Sequence, residues 1–213
     1  MLGFQALATG SPQKGSARTM TSNAPVRVPP QGPWNDGGVV VITGIQAAGK
    51  STVAQALAER LPRSVHLRGD TFRRNIVRGH LPMTPDAEKP AVAQLELRYR
   101  LTAHCADEYA QAGFTVIAQD ILIGAYLAEM TGLIKTRPLA VVVLLPDPAA
   151  VEAREASRPK TAYGPDWTVP DLDQLMRADT PRDIGLWLDT SKQTVEETVD
   201  EIIGRAWTEG AVA

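Results

Sequence analysis

Hydrophobic residues along the chain fall into short continuous runs that alternate with longer stretches of helical periodicity. Five of the runs are predicted strands, and they lie at Val39 to Thr43, Ser64 to Arg68, Thr115 to Gln119, Leu139 to Leu145 and Ile184 to Leu188. The first run is apolar throughout, as expected for a strand that is buried on both faces. This alternation predicts an α/β fold with a five-stranded parallel sheet and helices on both faces.

Three of the helical stretches have clear boundaries. The first, Lys50 to Leu61, is stopped by Pro62, and a long one from about Ala91 to Ala112 ends at a glycine. The long helix is apolar over a broad arc, so we expect it to lie against the sheet. The last, Val195 to Trp207, carries apolar residues on one side and acidic residues on the other.

The N-terminal part of the chain differs from the rest in composition. Gly, Pro and Ser are frequent up to residue 36, and such a segment rarely buries enough apolar surface to fold. We therefore predict a disordered N-terminal extension over residues 1–36 and a single folded domain over 37–213. A signal peptide is the competing interpretation, but the segment has no basic region before its first apolar residues.

Charge and cysteine content limit the classes of function. The chain of 213 residues carries 22 Lys and Arg against 24 Asp and Glu, a net charge of -2, which gives no global attraction to nucleic acid or an anionic membrane. Cys105 is the single cysteine, so no intramolecular disulfide can form and a reducing cytoplasm is the expected compartment. We expect a cytoplasmic monomer or homodimer with no nucleic-acid or membrane partner.

An octapeptide follows the first predicted strand and begins the first predicted helix. Its residues match the phosphate-binding pattern G-x-x-x-x-G-K-[ST], and they are Gly44, Ile45, Gln46, Ala47, Ala48, Gly49, Lys50 and Ser51. The glycines allow backbone N–H groups to turn toward phosphate oxygens at a helix N-terminus. We expect Lys50 to bridge the β- and γ-phosphates, Ser51 to ligate magnesium and Thr52 to lie near the α-phosphate. The motif predicts a P-loop NTPase fold with ATP and Mg2+ as cofactors.

Two aspartates come directly after predicted strands. Asp120 follows the third strand, where a carboxylate often holds magnesium through water; capping of the segment that begins at Ile121 is the alternative role. Asp70 follows the second strand and lies at the same edge of the sheet as the phosphate site. A carboxylate there can accept the proton of an attacking hydroxyl, which predicts Asp70 as a catalytic base that also contacts substrate. Its alternative role is the N-cap of a helix from Thr71 to Arg78.

Arginines supply the remaining candidates. Arg73 and Arg74 follow in the first turn, where a cation opposes the helix dipole; substrate binding is one interpretation and a solvated face is the other. Arg154 and Arg158 lie one turn apart on a predicted helix after the fourth strand. They precede a stretch that is broken by prolines and glycines as far as Pro170, which we interpret as a lid that brings guanidinium groups to the transferring phosphoryl group. An ordinary surface helix is the alternative.

Polar and aromatic residues near the end of the chain are weaker candidates. The loop at 189–193 precedes the last helix, so Ser191 or Thr194 is a predicted N-cap, and the same loop is a candidate neighbour of adenine. Tyr163 and Trp167 suit either stacking on a substrate ring or packing within the lid. The histidines and the cysteine have no metal-ligand spacing and are interpreted as structural: His66, His80, His104 and Cys105.

At the P-loop, at the Gly-Asp-Thr-Phe-Arg-Arg segment of residues 69–74 and at the arginine-containing lid, the sequence resembles small P-loop phosphotransferases of the chloramphenicol phosphotransferase type. It is also similar to zeta-toxin-like kinases and to tunicamycin-resistance-type ATP-binding proteins, and the likeness covers about Val39 to Trp207. The resemblance implies that Asp70 is the base on a substrate hydroxyl and that Arg154 and Arg158 stabilise the phosphoryl group. The chain departs from the pattern at Gln119, where a second acidic residue often stands.

These features together predict an ATP-dependent O-phosphotransferase that acts on a hydroxyl of a small molecule, with antibiotics and other secondary metabolites among the candidate acceptors. The segment 79–90, which is expected to border the acceptor, has no pattern specific to chloramphenicol. Adenylylsulfate kinases share the Gly-Asp-x-x-Arg arrangement after the second strand, but their further motifs are not found in this sequence. Kinases of the gluconate and shikimate types are alternatives. A nucleotide-binding switch or toxin-like regulator with little turnover is the alternative from another class.

Overall fold

The structure is a computed structural model that describes residues 32–157, 163–164 and 166–213. Its centre is a sheet of five parallel strands in the order β2-β3-β1-β4-β5, with a short sixth strand antiparallel to β4. The strands are β1 (Val39–Thr43), β2 (Ser64–Arg68), β3 (Thr115–Gln119), β4 (Leu139–Leu144), β5 (Leu186–Leu188) and β6 (Ala211–Val212). The predicted α/β fold with a five-stranded parallel sheet is confirmed. The last parallel strand begins two residues later than predicted, and β6 was not predicted.

Seven α-helices connect or flank these strands in the described part of the chain. They are α1 (Lys50–Glu59), α2 (Asp70–Arg74), α3 (Lys89–Gln111), α4 (Ala125–Leu133), α5 (Pro148–Ala156), α6 (Val169–Asp179) and α7 (Val195–Glu209). The long helix α3 buries a narrower stripe than its apolar arc predicts, because Leu97 and Leu101 stay exposed while Tyr99 and Ala106 are buried.

The central strands β1 and β4 are buried along their whole length, which explains their continuous apolar runs. Every residue of β1 has at most 1% of its surface exposed. Both strands are paired with a neighbour on each side and covered by helices, so their backbones can move little. The loops that leave their carboxyl ends therefore start from rigid points.

The folded part of the chain begins ahead of the predicted boundary. A short 3₁₀ helix spans Pro33–Asn35, and Trp34 is 2% exposed within the core. The Trp34 indole packs edge-on against Trp207 with ring centroids 5.0 Å apart, and its Nε1–H donates to the Ile203 carbonyl at 3.2 Å. The predicted disordered extension over 1–36 is therefore wrong for residues 33–35, whereas residues 1–31 lie outside the described part of the chain.

The stretch interpreted as a lid ends earlier than predicted. Pro170 does not break a helix; it lies in the first turn of α6, where a proline is well tolerated because its missing N–H has no helical partner. Thr168 caps this helix, accepting from the Asp171 N–H at 3.3 Å, and the Asp171 carboxylate accepts in return from the Thr168 N–H at 3.0 Å. This capping box marks the start of α6, so Pro170 belongs to a helix and not to the stretch interpreted as a lid.

Candidate functional site

The loop between β1 and α1 has the backbone shape of an anion-binding nest. Gly44, Ala47 and Gly49 have positive φ values of 145°, 58° and 99°. Such alternation turns successive peptide N–H groups to one side of the chain, and no side chain caps the N-terminus of α1. The orphan N–H groups of the helix are thus left to a ligand, which fits a bound phosphate.

Lys50 lies inside this loop rather than in solvent. The residue is 9% exposed, and its Nζ donates to the Ile45 carbonyl at 2.7 Å. A buried ammonium costs free energy unless it is bonded, and here the loop carbonyl is one of its partners. The lysine is therefore held where a phosphate in the loop would meet it, as the motif predicts.

The Ser51 hydroxyl faces the end of the neighbouring strand β3. Its Oγ donates to the Gln119 Oε1 at 3.2 Å. Gln119 is the last residue of β3 and pairs in register with Ile42 of β1, so the strand order places it beside the first turn of α1. Hydroxyl and amide oxygens are ligands that suit magnesium, so Ser51 and Gln119 fit the ion that the motif implies.

Asp120, the other predicted magnesium ligand, is engaged elsewhere. Its carboxylate, 4% exposed as a residue, forms an ion pair with Arg98 of α3: the Arg98 Nε donates to Oδ2 at 2.7 Å and Nη2 contacts Oδ1. Oδ1 also accepts from the Ile121 N–H at 2.7 Å. Because the protein itself fills these positions, the contacts do not support a metal-binding role for Asp120. They agree in part with the alternative, in which it caps the segment that begins at Ile121.

Asp70 opens α2 at the carboxyl end of β2. Gly69, not Asp70, is the N-cap of this helix, and it makes no side-chain capping bond, so the alternative interpretation of Asp70 as the N-cap is wrong. The Asp70 carboxylate pairs with Arg74 one turn later and keeps 33% of its side chain exposed. A partly exposed carboxylate on a short helix at this edge is accessible to a substrate.

The two arginines of α2 point to different neighbours. Arg74 is the partner of Asp70, whereas the Arg73 Nη1 lies 3.3 Å from Nε2 of His80, in the loop that follows α2. Both arginine residues are exposed. Their predicted contact with substrate stays a prediction.

Arg154 sits over the phosphate loop. It projects from α5, and its two terminal nitrogens donate to the Ala48 carbonyl at 3.2 Å and to the Thr190 carbonyl at 2.6 Å. Arg154 therefore bridges the phosphate loop and the loop after β5, and both of its terminal nitrogens already donate to a backbone carbonyl. Arg158, the second predicted lid arginine, lies outside the described residues.

The segment that precedes α6 touches both sides of the site. The Tyr163 hydroxyl donates to the Gln46 carbonyl in the phosphate loop at 2.7 Å. The Trp167 Nε1–H donates to the Met83 carbonyl at 2.9 Å, in the segment expected to border the acceptor. These two aromatic side chains are bonded to the protein through their polar atoms and connect the two halves of the site.

The loop after β5 behaves as a capped helix start. Thr194 is the N-cap of α7 and accepts from the Glu197 N–H at 3.1 Å, which confirms the predicted cap at Thr194 rather than Ser191. Ser191 instead bonds to Asp189, and these bonds lower the pKa of the Asp189 carboxyl. The Ser191 hydroxyl oxygen also accepts from the Asp147 N–H at 2.7 Å, which connects this loop to the start of α5.

Burial shapes the electrostatics beneath the site. Burial lowers the pKa of Arg98, and the charges of Tyr99 and Asp70 oppose this shift. Burial also lowers the pKa of His66, on β2, to about 4, so this imidazole is neutral at pH 7. Its Nδ1 lies 2.8 Å from the Gln55 Oε1. The interpretation of His66 as structural agrees with these contacts.

Arg98 and Gly69 were not among the predicted site residues. Arg98 lies between Leu97 and the buried Tyr99, and one turn before the buried Thr102, so the signal was a cation beside positions that face the protein interior. Such a residue requires a buried carboxylate as partner. Gly69 could be recognised only with the fold known, because a Cβ at this position would overlap Oδ2 of Asp120 and lie 2.8 Å from its carboxyl carbon.

Two absences hold for the part of the chain that the structure describes. No group of three or more His, Cys, Asp and Glu side chains there is placed to hold a metal ion. Within the same residues, no helix combines the length and the apolar character needed to cross a membrane.

Comparisons with known proteins agree with this architecture. Residues 39–178, more than half of the chain, match the model of a family described as the AAA domain. No curated protein matches the chain significantly. The fold is shared by solved structures, three of which are described next.

A sugar kinase from Janibacter sp. HTCC2649 has a TM-score of 0.59 and 19% identity, and the match covers 78% of this chain and 92% of the kinase. The tunicamycin resistance protein of Deinococcus radiodurans has a TM-score of 0.58 and 18% identity, and the match covers 83% of this chain and 98% of that protein. The APS kinase of Mycobacterium tuberculosis, in complex with AMPPNP and APS, has a TM-score of 0.57 and 19% identity. This match covers 83% of this chain and 98% of the kinase. At these identities the likeness shows the fold.

Proposed function

Since the chain belongs to the AAA domain family, we propose that it is an ATP-dependent kinase that transfers the γ-phosphoryl group to a hydroxyl of a small molecule. The observation that carries the proposal is the position of Asp70. An accessible carboxylate stands at the end of β2, on the same edge of the sheet as the nest between β1 and α1. A nucleotide-binding site alone does not require a carboxylate there.

The residues of this chain divide the work in the proposed reaction. The backbone of the nest binds the phosphates, and Lys50 donates to them in place of its bond to the Ile45 carbonyl. Ser51 and Gln119 would hold magnesium, which would neutralise charge on the phosphate oxygens. Asp70 orients the acceptor hydroxyl and accepts its proton as the bond to phosphorus forms. Arg154 holds the phosphate loop against the loop after β5.

The solved structures that share the fold support a small acceptor. Their names describe a sugar kinase, a tunicamycin resistance protein and an APS kinase. We therefore propose sugars, antibiotics and related hydroxyl metabolites as the first acceptor classes to examine. The resemblance to chloramphenicol phosphotransferases makes chloramphenicol-like antibiotics one of these acceptor classes. The proposed phosphoryl donor is ATP, with Mg2+ as the metal ion.

The ion pair between Asp70 and Arg74 favours one alternative function. A carboxylate that already has a cationic partner suits a nucleotide-binding switch with little turnover of its own. In the proposed kinase the acceptor hydroxyl competes with Arg74 for this carboxylate. The two functions therefore predict opposite outcomes when Asp70 is changed.

The test is a mass-spectrometric screen of hydroxyl compounds incubated with the protein, ATP and Mg2+. One added phosphoryl group raises the acceptor mass by about 80 Da. With an acceptor in hand, Asp70→Asn is expected to lower kcat by ~100-fold or more, the usual contribution of a general base, with ATP binding unchanged. The matched control is Asp183→Asn, which removes an exposed carboxylate that precedes β5, at the opposite edge of the sheet. Full activity of Asp70→Asn would exclude Asp70 as the base, whereas ATP binding with no phosphorylated acceptor in the screen would support the switch.

A further inference from the structure

The ion pair between Arg98 and Asp120 is built into the protein interior directly beneath the proposed active site. The side chains are 12% and 2% exposed, and the guanidinium contacts both carboxylate oxygens. Desolvation offsets most of the attraction between two such charges, so a buried pair contributes little net stability. Its two-point geometry fixes instead where each side chain lies.

This pair leaves Asp120 poorly suited to bind a metal ion. A carboxylate offers about four lone-pair positions, and the structure shows donors from Arg98 and the Ile121 N–H on them. A divalent cation would also stand next to the positive guanidinium, which repels it. Gln119, one residue earlier, carries an uncharged oxygen 3.2 Å from the Ser51 hydroxyl and has no cation among the partners described for it.

The same carboxylate supports the start of α2. A Cβ on Gly69 would overlap Oδ2 of Asp120 and lie 3.1 Å from the Thr102 Oγ1, so the backbone at Gly69 rests directly on these two side chains. The Gly69 N–H donates to the Gln119 carbonyl at 3.0 Å. Asp70 is the next residue, so a shift of the Asp120 carboxylate displaces the backbone from which Asp70 projects.

We propose that Arg98 and Asp120 are positioning residues that hold Asp70 in place through Gly69, and that Gln119, not Asp120, accompanies Ser51 at the magnesium site. The assignment of Asp70 as the residue being positioned for catalysis rests on the proposed kinase function. The assignment of the magnesium contact depends only on nucleotide binding.

The experiment compares Arg98→Met, Asp120→Asn, their double variant and Gln119→Ala in the full chain. Arg98→Lys is added because it keeps the buried charge and loses the two-point contact. Arg100→Met is the matched control, since Arg100 lies on the same helix and its ion pair among the described residues is an exposed one with Glu96 at 3.9 Å. Three quantities are measured: binding of a fluorescent ATP analogue against Mg2+ concentration, hydrogen exchange of the amides of residues 69–74, and kcat for the acceptor found in the screen.

We expect Gln119→Ala to raise the Mg2+ concentration that gives half-maximal nucleotide binding, and Asp120→Asn to leave it unchanged. Arg98→Met and Asp120→Asn should each speed exchange of the 69–74 amides and lower kcat by ~100-fold, the usual cost of a catalytic group displaced by about 1 Å. The double variant should be no worse than either single variant, because the two residues act as one unit. Arg100→Met should change none of the three.

A higher Mg2+ requirement in Asp120→Asn, with none in Gln119→Ala, would overturn the metal assignment. Unchanged exchange at 69–74 in folded Arg98→Met or Arg98→Lys would overturn the positioning role. If the wild type phosphorylates no acceptor, the proposed function fails, while Mg2+ dependence and hydrogen exchange still decide both parts of this inference.

Discussion

Replacing each glycine of the phosphate loop by alanine separates two physical costs. At Gly44, φ is 145° and an added Cβ would lie 2.5 Å from the Leu144 carbonyl oxygen and 3.2 Å from the Ala48 Cβ. At Gly49, φ is 99° and the nearest atom, the Arg154 Nη1, lies 4.0 Å away. Gly49→Ala therefore strains only the backbone, whereas Gly44→Ala also collides with strand β4.

The expected magnitudes follow from these distances. A non-glycine residue in the left-handed region costs about 1–2 kcal/mol, which is the whole expected loss of unfolding free energy for Gly49→Ala. The collision at Gly44 is with backbone of a buried strand, which has no free direction in which to move. Overpacking of this kind costs ~1–3 kcal/mol more, so Gly44→Ala should lose about 2–5 kcal/mol.

Urea unfolding followed by circular dichroism measures both losses, and titration with a fluorescent ATP analogue reports whether the nest still binds. The control is Gly132→Ala in α4, where an added Cβ meets nothing within 4 Å; it should stabilise the protein by ~0.5–1 kcal/mol because alanine is the better helix former. Equal losses for Gly44→Ala and Gly49→Ala would refute the collision, and with it the close approach of β4 to the loop.

Three further predictions concern single side chains. Lys50→Met should weaken ATP binding by roughly 10- to 150-fold in the same fluorescence titration, the value of a charge-assisted hydrogen bond of ~1.5–3 kcal/mol, and full binding would contradict the assigned contact. Trp167→Phe removes the bond to the Met83 carbonyl, so hydrogen exchange at residues 79–88 should speed up by about fivefold, for a bond of ~1 kcal/mol; no change would mean that the bond does not hold this segment. Burial lowers the pKa of His66 from 6.5 to about 4, so between these pH values the unfolded state binds a proton that the folded state does not, and stability falls as the pH is lowered. His66→Gln should reduce the difference between urea midpoints at pH 7 and pH 5, and an unaltered difference would exclude His66 as its source.

Elements whose cause is local were predictable. Strands β1, β2 and β3 were predicted to the residue because each has turn or helix signals immediately beside it. The cap at Thr194 was predictable because its capping-box partner Glu197 is three residues away. Pro170 was misinterpreted because the same residue that breaks a helix interior is favoured in the first turn.

Side chains that act through distant partners were harder to assign. Trp34 was included in a disordered extension because the surrounding segment has the composition of a linker. Its burial depends on Trp207, a residue of the last helix. Asp120 was assigned to magnesium from its place after a strand. Its partner Arg98 lies 22 residues earlier on a helix whose buried stripe is narrower than its apolar arc.

The sequence by itself determined the phosphate loop, since eight adjacent residues between a buried strand and a helix carry the whole arrangement. It also determined the parallel sheet, because alternating strand and helix patterns admit few other folds. Only the tertiary structure decided which carboxylate is buried against an arginine and which stays accessible at the surface. The strand order β2-β3-β1 brings Gln119 to Ser51 across 68 residues and sets Gly69 on Asp120. Contacts between residues so far apart in the chain follow from how strands pair, and local sequence patterns do not encode that pairing.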